Sequence, residues 1–225
     1  MENESHWVGQ RTLLVGAGYS AQTAARDLRE LCSQHPDTDV TWAIRSEAPT
    51  LGEIENDPLP GRADLAASAR GIVSAATGGS TEDPGIRVRL GCSVEGLRRA
   101  STGIEVTLRS SVARQLETVV VDRIIALTGY VGDHTLYRQL QVHECWATSG
   151  PMKLSAALLA SSSVDCLDQT SQGADTLENP EPDFFILGIK SYGRNSTFLM
   201  QVGRQQVDEV FALVSRSRAI AGTGQ

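Results

Sequence analysis

The sequence predicts an α/β fold whose first part is a three-layer domain built on a parallel sheet, and three observations support this prediction. Residues 12–15 form an apolar, β-rich run that stops at two glycines and is followed by a helical pattern. A second strand pattern covers residues 40–44, after a turn that contains proline. From residue 86 onward, apolar residues recur at every second position, which predicts an antiparallel β excursion.

The other elements follow in chain order. Apolar and small residues at steps of three and four predict a helix over residues 20–32, and an alanine-rich segment predicts another over 63–76. For the antiparallel excursion and the return to the sheet, we predict strands at residues 86–90, 104–108, 117–121 and 123–127. For the C-terminal part, we predict short helices at 136–140 and 154–159, a polar loop at 161–179, a strand at 182–188 and a final helix at 198–216.

The composition narrows the classes of function. The chain has 225 residues, 27 acidic and 20 basic, with a formal net charge of -7 at pH 7. This charge repels a phosphate backbone and an anionic membrane surface, so we expect no nucleic acid and no membrane as a partner. The N-terminus lacks the pattern of a signal peptide, and no apolar run approaches the roughly 20 residues of a membrane span. We therefore expect a cytoplasmic protein that acts on a small-molecule substrate.

The cysteines give no sign of a metal or dithiol site. They lie far apart in the chain, with no CxxC pair and no histidine at the spacing of a zinc site. We expect reduced core or surface thiols at Cys32, Cys92, Cys145 and Cys166.

The glycine turn after the first strand follows the pattern GxGxxA, formed by Gly16, Gly18 and Ala21. In this pattern the first glycine permits a tight turn, the second lets a pyrophosphate approach the backbone, and the alanine keeps the helix close to the strand. Tyr19 and Ser20 begin the helix, whose N-terminus offers N–H groups and a partial positive charge to phosphates. A plain glycine turn is the alternative, but the order of strand, turn and helix favours a Rossmann-like dinucleotide-binding unit.

The residues after the second strand distinguish between the two nicotinamide cofactors. An acidic side chain there hydrogen-bonds the ribose 2′-OH of NAD, whereas an arginine pairs with the 2′-phosphate of NADP. Arg45 follows the strand here, with Ser46 as a second donor, which favours NADP. Glu47 is the candidate acid of an NAD site, and an arginine that is simply exposed is the third possibility.

Two later glycine-bearing loops also follow predicted strands. Thr128 and Gly129 come after the strand at 123–127, where a glycine marks either a close approach to a ligand or a simple turn. Gly188 ends the strand predicted at 182–188, and Lys190 follows it before the final helix. A lysine in such a loop is suited to a phosphate, although basic loop residues are often only solvated.

Several of these motifs, in this order, resemble one family. GAGYSA at 16–21, Arg45, LTGY at 127–130 and NPEPDFFILG at 179–188 leading into KSYGR are similar to motifs of flavin-dependent NADPH oxidoreductases with two nested dinucleotide folds. This broad group contains the flavin monooxygenases and the thioredoxin-reductase-like flavoproteins. The resemblance extends over most of residues 10–215.

The resemblance implies how the chain is organised. In such flavoproteins an FAD half-domain precedes the NADPH domain, and the second FAD half follows it. It implies a leader at 1–9, an NADP-binding Rossmann-like domain at 10–130 and a partial FAD-type domain at 131–225, with the first FAD half missing. A missing domain or a partner chain is then expected against the C-terminal segment. Because Ile189 stands where the family carries an acidic residue, we expect FAD in the complete enzyme rather than in this chain alone.

The resemblance also implies an activity, namely hydride transfer from NADPH to FAD in a monooxygenase-like or NADPH oxidase-like reaction. The absence of CxxC separates the chain from the disulfide-reducing relatives. No catalytic residue can be assigned, because His134 and His143 are isolated and are typical of surface or hydrogen-bonded histidines. Two alternatives stay open, a non-catalytic nucleotide-binding or partner-binding module and a simple NADP dehydrogenase.

Overall fold

The computed structural model describes residues 4–52, 54, 57, 59–78, 85–161 and 169–222. The chain divides into two compact units, Met1–Gly129 and Tyr130–Gln225. The first unit contains β1 (Arg11–Val15), α1 (Tyr19–Gln34), β2 (Asp39–Ile44), α2 (Pro60–Thr77), β3 (Arg87–Leu90), β4 (Cys92–Ala100), β5 (Gly103–Ser110), β6 (Leu116–Val121) and β7 (Arg123–Ala126).

A four-stranded parallel sheet forms the middle of the first unit, in the order β3-β2-β1-β7. The strand β1 lies between β2 and β7, so that Leu14 pairs with Trp42 on one side and with Ile125 on the other. Because all four strands run in one direction, the loops that follow them lie along the same edge of the sheet. This edge is the usual position of ligands in open α/β sheets.

The two faces of the parallel sheet are covered by different layers. Leu14, Trp42 and Ile44 point to one face and pack against the buried residues of α1 and α2. Leu13 and Ala43 belong to a separate core with residues of the antiparallel sheet, whose strand order is β4-β5-β6. The helices, the parallel sheet and the antiparallel sheet therefore form three layers, and the predicted three-layer α/β fold is confirmed.

One predicted strand belongs to a different sheet from the one expected. Residues 86–90 were assigned to the antiparallel excursion, but β3 pairs parallel with β2, from Thr41 with Arg87 to Ile44 with Leu90. The strand lies at the edge of the parallel sheet and is half exposed, so its apolar residues alternate as they do in an antiparallel strand. The excursion instead begins with β4, which follows β3 after a turn at Gly91 and was not predicted.

The regular secondary structure described in the second unit is helical. It contains α3 (Met152–Ala160), 3-10 turns at Ala174–Leu177 and Gly188–Tyr192, and α4 (Met200–Gly222). Their apolar faces share one core of fully or nearly buried side chains, Leu154, Leu158, Leu177, Tyr192, Val202 and Val210. The predicted helices at 154–159 and 198–216 are present in slightly different bounds.

The strand predicted at 182–188 is wrong. Within the described part of this segment, Phe185 forms an isolated antiparallel bridge with Glu178 and belongs to no sheet. Asp183 has φ 56° and Gly188 has φ 69°, and such left-handed residues interrupt an extended strand. The short helix predicted at 136–140 is also absent, because hydrogen-bonded turns occupy these residues.

Three of the four cysteines lie among the described residues. Cys32, Cys92 and Cys145 form no disulfide among the residues that the structure describes. Residues 162–168, which include Cys166 and part of the polar loop predicted at 161–179, lie outside the described residues. Of the helices that the structure describes, none is both long enough and apolar enough to cross a bilayer.

Candidate nucleotide-binding site

The turn at the end of β1 requires a glycine for steric reasons. Gly16 has φ 127°, and a Cβ at this position would lie 2.2 Å from the carbonyl oxygen of Leu127. The N–H of Leu127 donates to the carbonyl of Val15 at 2.8 Å, which holds the chain after β7 against the turn. Ala21, which is fully buried, lies 3.6 Å from the same Cβ position. The first helical turn therefore packs closely on the strand end, in the geometry that the GxGxxA pattern predicts.

The carbonyl groups of this turn all accept hydrogen bonds from the protein itself. The indole N–H of Trp42 donates to the carbonyl of Gly16 at 2.7 Å. The side-chain amide of Gln22 donates to the carbonyl of Ala17 at 3.0 Å. The backbone N–H of Gln22 donates to the carbonyl of Gly18, also at 3.0 Å. The electronegative side of the turn is thereby directed into the protein.

The N–H groups of the turn are available to a ligand. Gly18 is the N-cap residue of α1 and carries no capping side chain. Among the described residues, none accepts a hydrogen bond from the backbone N–H of Gly18 or Ser20. A Cβ on Gly18 would meet nothing within 4 Å, so a ligand atom can approach the backbone there. Open N–H groups and the positive end of a sixteen-residue helix form an anion-binding arrangement.

Tyr19 forms part of the surface beside the turn. Its hydroxyl donates to the carbonyl of Gly52 at 3.2 Å, and its side chain is 40% exposed. Gly52 has φ 69°, and a Cβ there would lie 2.7 Å from the ring of Tyr19. The loop after β2 therefore packs its backbone directly against this ring.

The three residues after β2 differ in their contacts. Arg45 is exposed, and its guanidinium forms no hydrogen bond or ion pair with any residue the structure describes. The hydroxyl of Ser46 accepts from the N–H of Ala48 at 3.2 Å. The carboxylate of Glu47 accepts from the hydroxyl of Ser111 at 2.6 Å. The arginine is therefore free to bind an anion, whereas the acidic alternative already has a partner.

Thr128 and Gly129 lie at the same edge of the sheet as Gly16, since Ala126 pairs in register with Val15. Both residues are exposed, and Gly129 has φ 85° with open space at its Cβ position. The structure therefore brings the predicted residues of the first unit together at the carboxyl ends of β1, β2 and β7.

Gly188 and Lys190 belong to the second unit, and both have partners there. The N–H of Gly188 donates to the side-chain oxygen of Gln206 at 2.8 Å. The ammonium group of Lys190 donates to the carbonyl of Asp133 at 2.8 Å and lies 5.8 Å from the centre of the Tyr137 ring.

Of the two histidines considered as catalytic candidates, His134 is part of a polar cluster that was not predicted. Its Nδ1 contacts the carboxylate of Glu144 and lies 3.0 Å from the hydroxyl of Tyr137. Burial, together with the neighbouring Glu144, raises the pKa of Tyr137 to about 12. His143 is exposed. The cluster ties residues 134–144 together.

Comparisons with known proteins bear on the fold. No protein-family model matches the chain, and no curated protein matches it by sequence. Bacillithiol disulfide reductase from Staphylococcus aureus aligns with 98% of this chain and 53% of its own, at 15% identity and a TM-score of 0.58. Thioredoxin reductase from T. acidophilum aligns with 97% of this chain and 55% of its own, at 11% identity and a TM-score of 0.54. Ornithine hydroxylase from Pseudomonas aeruginosa aligns with 89% of this chain and 51% of its own, at 17% identity and a TM-score of 0.52.

At these identities the likeness shows the fold. The chain shares the fold of these two reductases and of this hydroxylase. It spans about half the length of the structures that it matches.

Proposed function

We propose that this chain is the NADPH-binding part of a flavin-dependent, monooxygenase-like oxidoreductase in which hydride passes from NADPH to FAD. The observation that carries the proposal is the glycine turn at Gly16 and Gly18, with inward carbonyls and open N–H groups, beside the unpaired guanidinium of Arg45. The fold supports the redox class. The reduced nicotinamide supplies the hydride when it is bound.

The residues present fit a dinucleotide in the first unit. In the proposed complex, the open N–H groups at the start of α1 would bind the pyrophosphate, and Gly18 would leave room for it. The guanidinium of Arg45 can pair with a 2′-phosphate through charge-assisted hydrogen bonds. Glu47 is held by Ser111, which disfavours the NAD alternative.

In the described part of the second unit, the two groups predicted to bind the phosphates of FAD already have protein partners. The N–H of Gly188 and the ammonium of Lys190, the two groups predicted for this purpose, both donate to protein acceptors. We therefore assign no step to flavin on this chain, and we propose that further polypeptide completes the FAD site. We expect the purified 225-residue chain to show no flavin absorbance, and stoichiometric bound flavin would contradict this assignment.

The same observation favours a second candidate function, a nucleotide-binding or partner-binding module without catalysis. The two candidates differ in one measurement. If the chain is combined with an FAD-binding half, the oxidoreductase proposal requires that NADPH bleach the flavin absorbance. Binding of NADPH without any reduction of the flavin would favour the module.

The cofactor assignment is tested by titrating NADPH and NADH against the wild type and Arg45→Ala. A charged hydrogen-bonding contact is worth about 1.5–3 kcal/mol, so we expect Arg45→Ala to weaken NADPH roughly ten- to a hundredfold and to leave NADH unchanged. Arg99→Ala, which removes an exposed arginine from β4, is the matched control and should change neither affinity. Equal affinity of the wild type for the two nucleotides would refute the NADPH assignment.

A further inference from the structure

Three chain segments meet beside Arg45 and are joined by hydrogen bonds. The N–H of Gly91, in the turn between β3 and β4, donates to the carbonyl of Ser46 at 3.1 Å. The N–H of Ser111, in the turn after β5, donates to the carbonyl of Gly91 at 2.7 Å. The hydroxyl of Ser111 then donates to the carboxylate of Glu47 at 2.6 Å. The loop after β2 is thereby attached to the antiparallel layer.

A glycine makes this contact possible. Gly91 has φ 62°, and a Cβ at this position would lie 2.5 Å from the hydroxyl oxygen of Ser111 and 2.9 Å from Cγ of Glu47. Any larger residue would therefore separate the two side chains. The contact between Ser111 and Glu47 depends on the backbone of all three segments.

The contact determines which charged group after β2 has a partner. Glu47 lies two residues after Arg45, and its carboxylate would repel a 2′-phosphate that binds there. With its carboxylate bound to Ser111, Glu47 is directed to the antiparallel layer and away from this role. Arg45 keeps its guanidinium available.

We propose that Ser111 is a positioning residue that sets the preference for NADPH over NADH, because it holds the carboxylate of Glu47 away from the 2′-phosphate. This inference rests on the proposed NADPH site. Ser111 acts through Glu47 and touches neither the substrate nor the nicotinamide.

The test measures dissociation constants for NADPH and NADH in the wild type, Ser111→Ala, Glu47→Gln and the double variant. A hydrogen bond to a charged group at an exposed position corresponds to roughly a three- to tenfold change in affinity. We expect Ser111→Ala to weaken NADPH by about this factor and to strengthen NADH, since the carboxylate becomes free. Glu47→Gln should bind NADPH as the wild type does, and the double variant should recover wild-type affinity.

Two further variants separate positioning from folding. Ser111→Thr keeps the hydroxyl and should keep the wild-type preference. Ser110→Ala removes the neighbouring hydroxyl, which accepts from the N–H of Ala113 at 3.1 Å and is not the hydrogen-bond donor to Glu47, so it should leave the preference unchanged. A double variant that stays as weak for NADPH as Ser111→Ala would overturn the inference, because the loss would then not pass through Glu47.

The outcomes also separate this inference from the proposed function. If the wild type shows no preference for NADPH, the proposed cofactor is wrong and the role of Ser111 fails with it. If the wild type prefers NADPH and Ser111→Ala keeps the same ratio of the two affinities, the proposed function stands and only the role of Ser111 is wrong.

Discussion

Replacing Gly16 by alanine separates the structural role of the glycine turn from its role in binding. The new Cβ would lie 2.2 Å from the carbonyl oxygen of Leu127 and 2.9 Å from its carbonyl carbon, at a φ of 127°. Strain of this kind in the backbone costs about 1–3 kcal/mol, and overpacking against a fixed neighbour costs about 1–3 kcal/mol more. We therefore expect Gly16→Ala to lower the free energy of unfolding by about 2–6 kcal/mol.

Gly18→Ala is the matched variant in the same turn. The residue has φ -70°, and the added methyl group would meet no atom within 4 Å. Because alanine is a poorer N-cap than glycine, we expect the substitution to lower the free energy of unfolding, but only by about 1 kcal/mol or less. In the proposed site, this methyl group would occupy the space through which a phosphate approaches the backbone. We expect NADPH to bind at least about tenfold more weakly, a change of about 1.4 kcal/mol.

Urea denaturation monitored by circular dichroism gives the stability of each variant, and titration with NADPH at a temperature where both are folded gives the affinity. Gly16→Ala should therefore lose mainly stability, and Gly18→Ala mainly binding. A Gly16→Ala protein as stable as the wild type would refute the close contact with Leu127. A Gly18→Ala protein with unchanged affinity would show that phosphate does not bind at this turn.

Two further predictions follow from buried or paired side chains. Trp42→Phe removes the indole N–H from the carbonyl of Gly16 and should cost about 1–3 kcal/mol of stability and weaken NADPH, whereas Trp146→Phe, at a 96% exposed position, should change neither. Hydrogen bonding to Arg11 lowers the pKa of Asp122 to about 2 from 3.8, so the pair stabilises the fold above pH 4 and this stability is lost as the pH falls through 2. Because both side chains are partly exposed, we expect Asp122→Asn to remove about 1 kcal/mol of this acid-dependent stability. If the free energies of unfolding of the variant and the wild type fall in parallel between pH 4 and 2, the prediction is contradicted.

The sequence was informative where the structure depends on local chemistry. The order of strand, glycine turn and helix around Gly16 is encoded in a few adjacent residues, because a tight turn and a close helix need glycine and alanine at fixed spacing. The strand β3 was assigned to the wrong sheet because alternation of apolar residues reports partial burial and carries no information on strand direction. The segment at 182–188 is apolar like a strand, but left-handed residues at Asp183 and Gly188 interrupt it.

The site was predictable to a similar extent. Gly18 and Arg45 stand at motif positions, and their roles in binding stay predictions. Trp42 and Ser111 were not predicted, because each acts on a residue far away in the chain. Trp42 lies 26 positions from Gly16, and Ser111 lies 64 positions from Glu47. A tryptophan in a strand indicates a core residue, and no local pattern reports that its ring N–H has a carbonyl to bind.

The pairing of β1 with β7 has a consequence for how the protein is made. These strands are joined in register although they are separated by more than 100 residues, as the hydrogen bond from Arg11 to Asp122 across 111 positions illustrates. During translation the glycine turn leaves the ribosome before Leu127, which closes against it. At about 5–20 residues per second, the delay is about 6–22 s. Throughout this interval the edge of β1 that pairs with β7 has no partner, and the turn at Gly16 lacks the segment that closes against it.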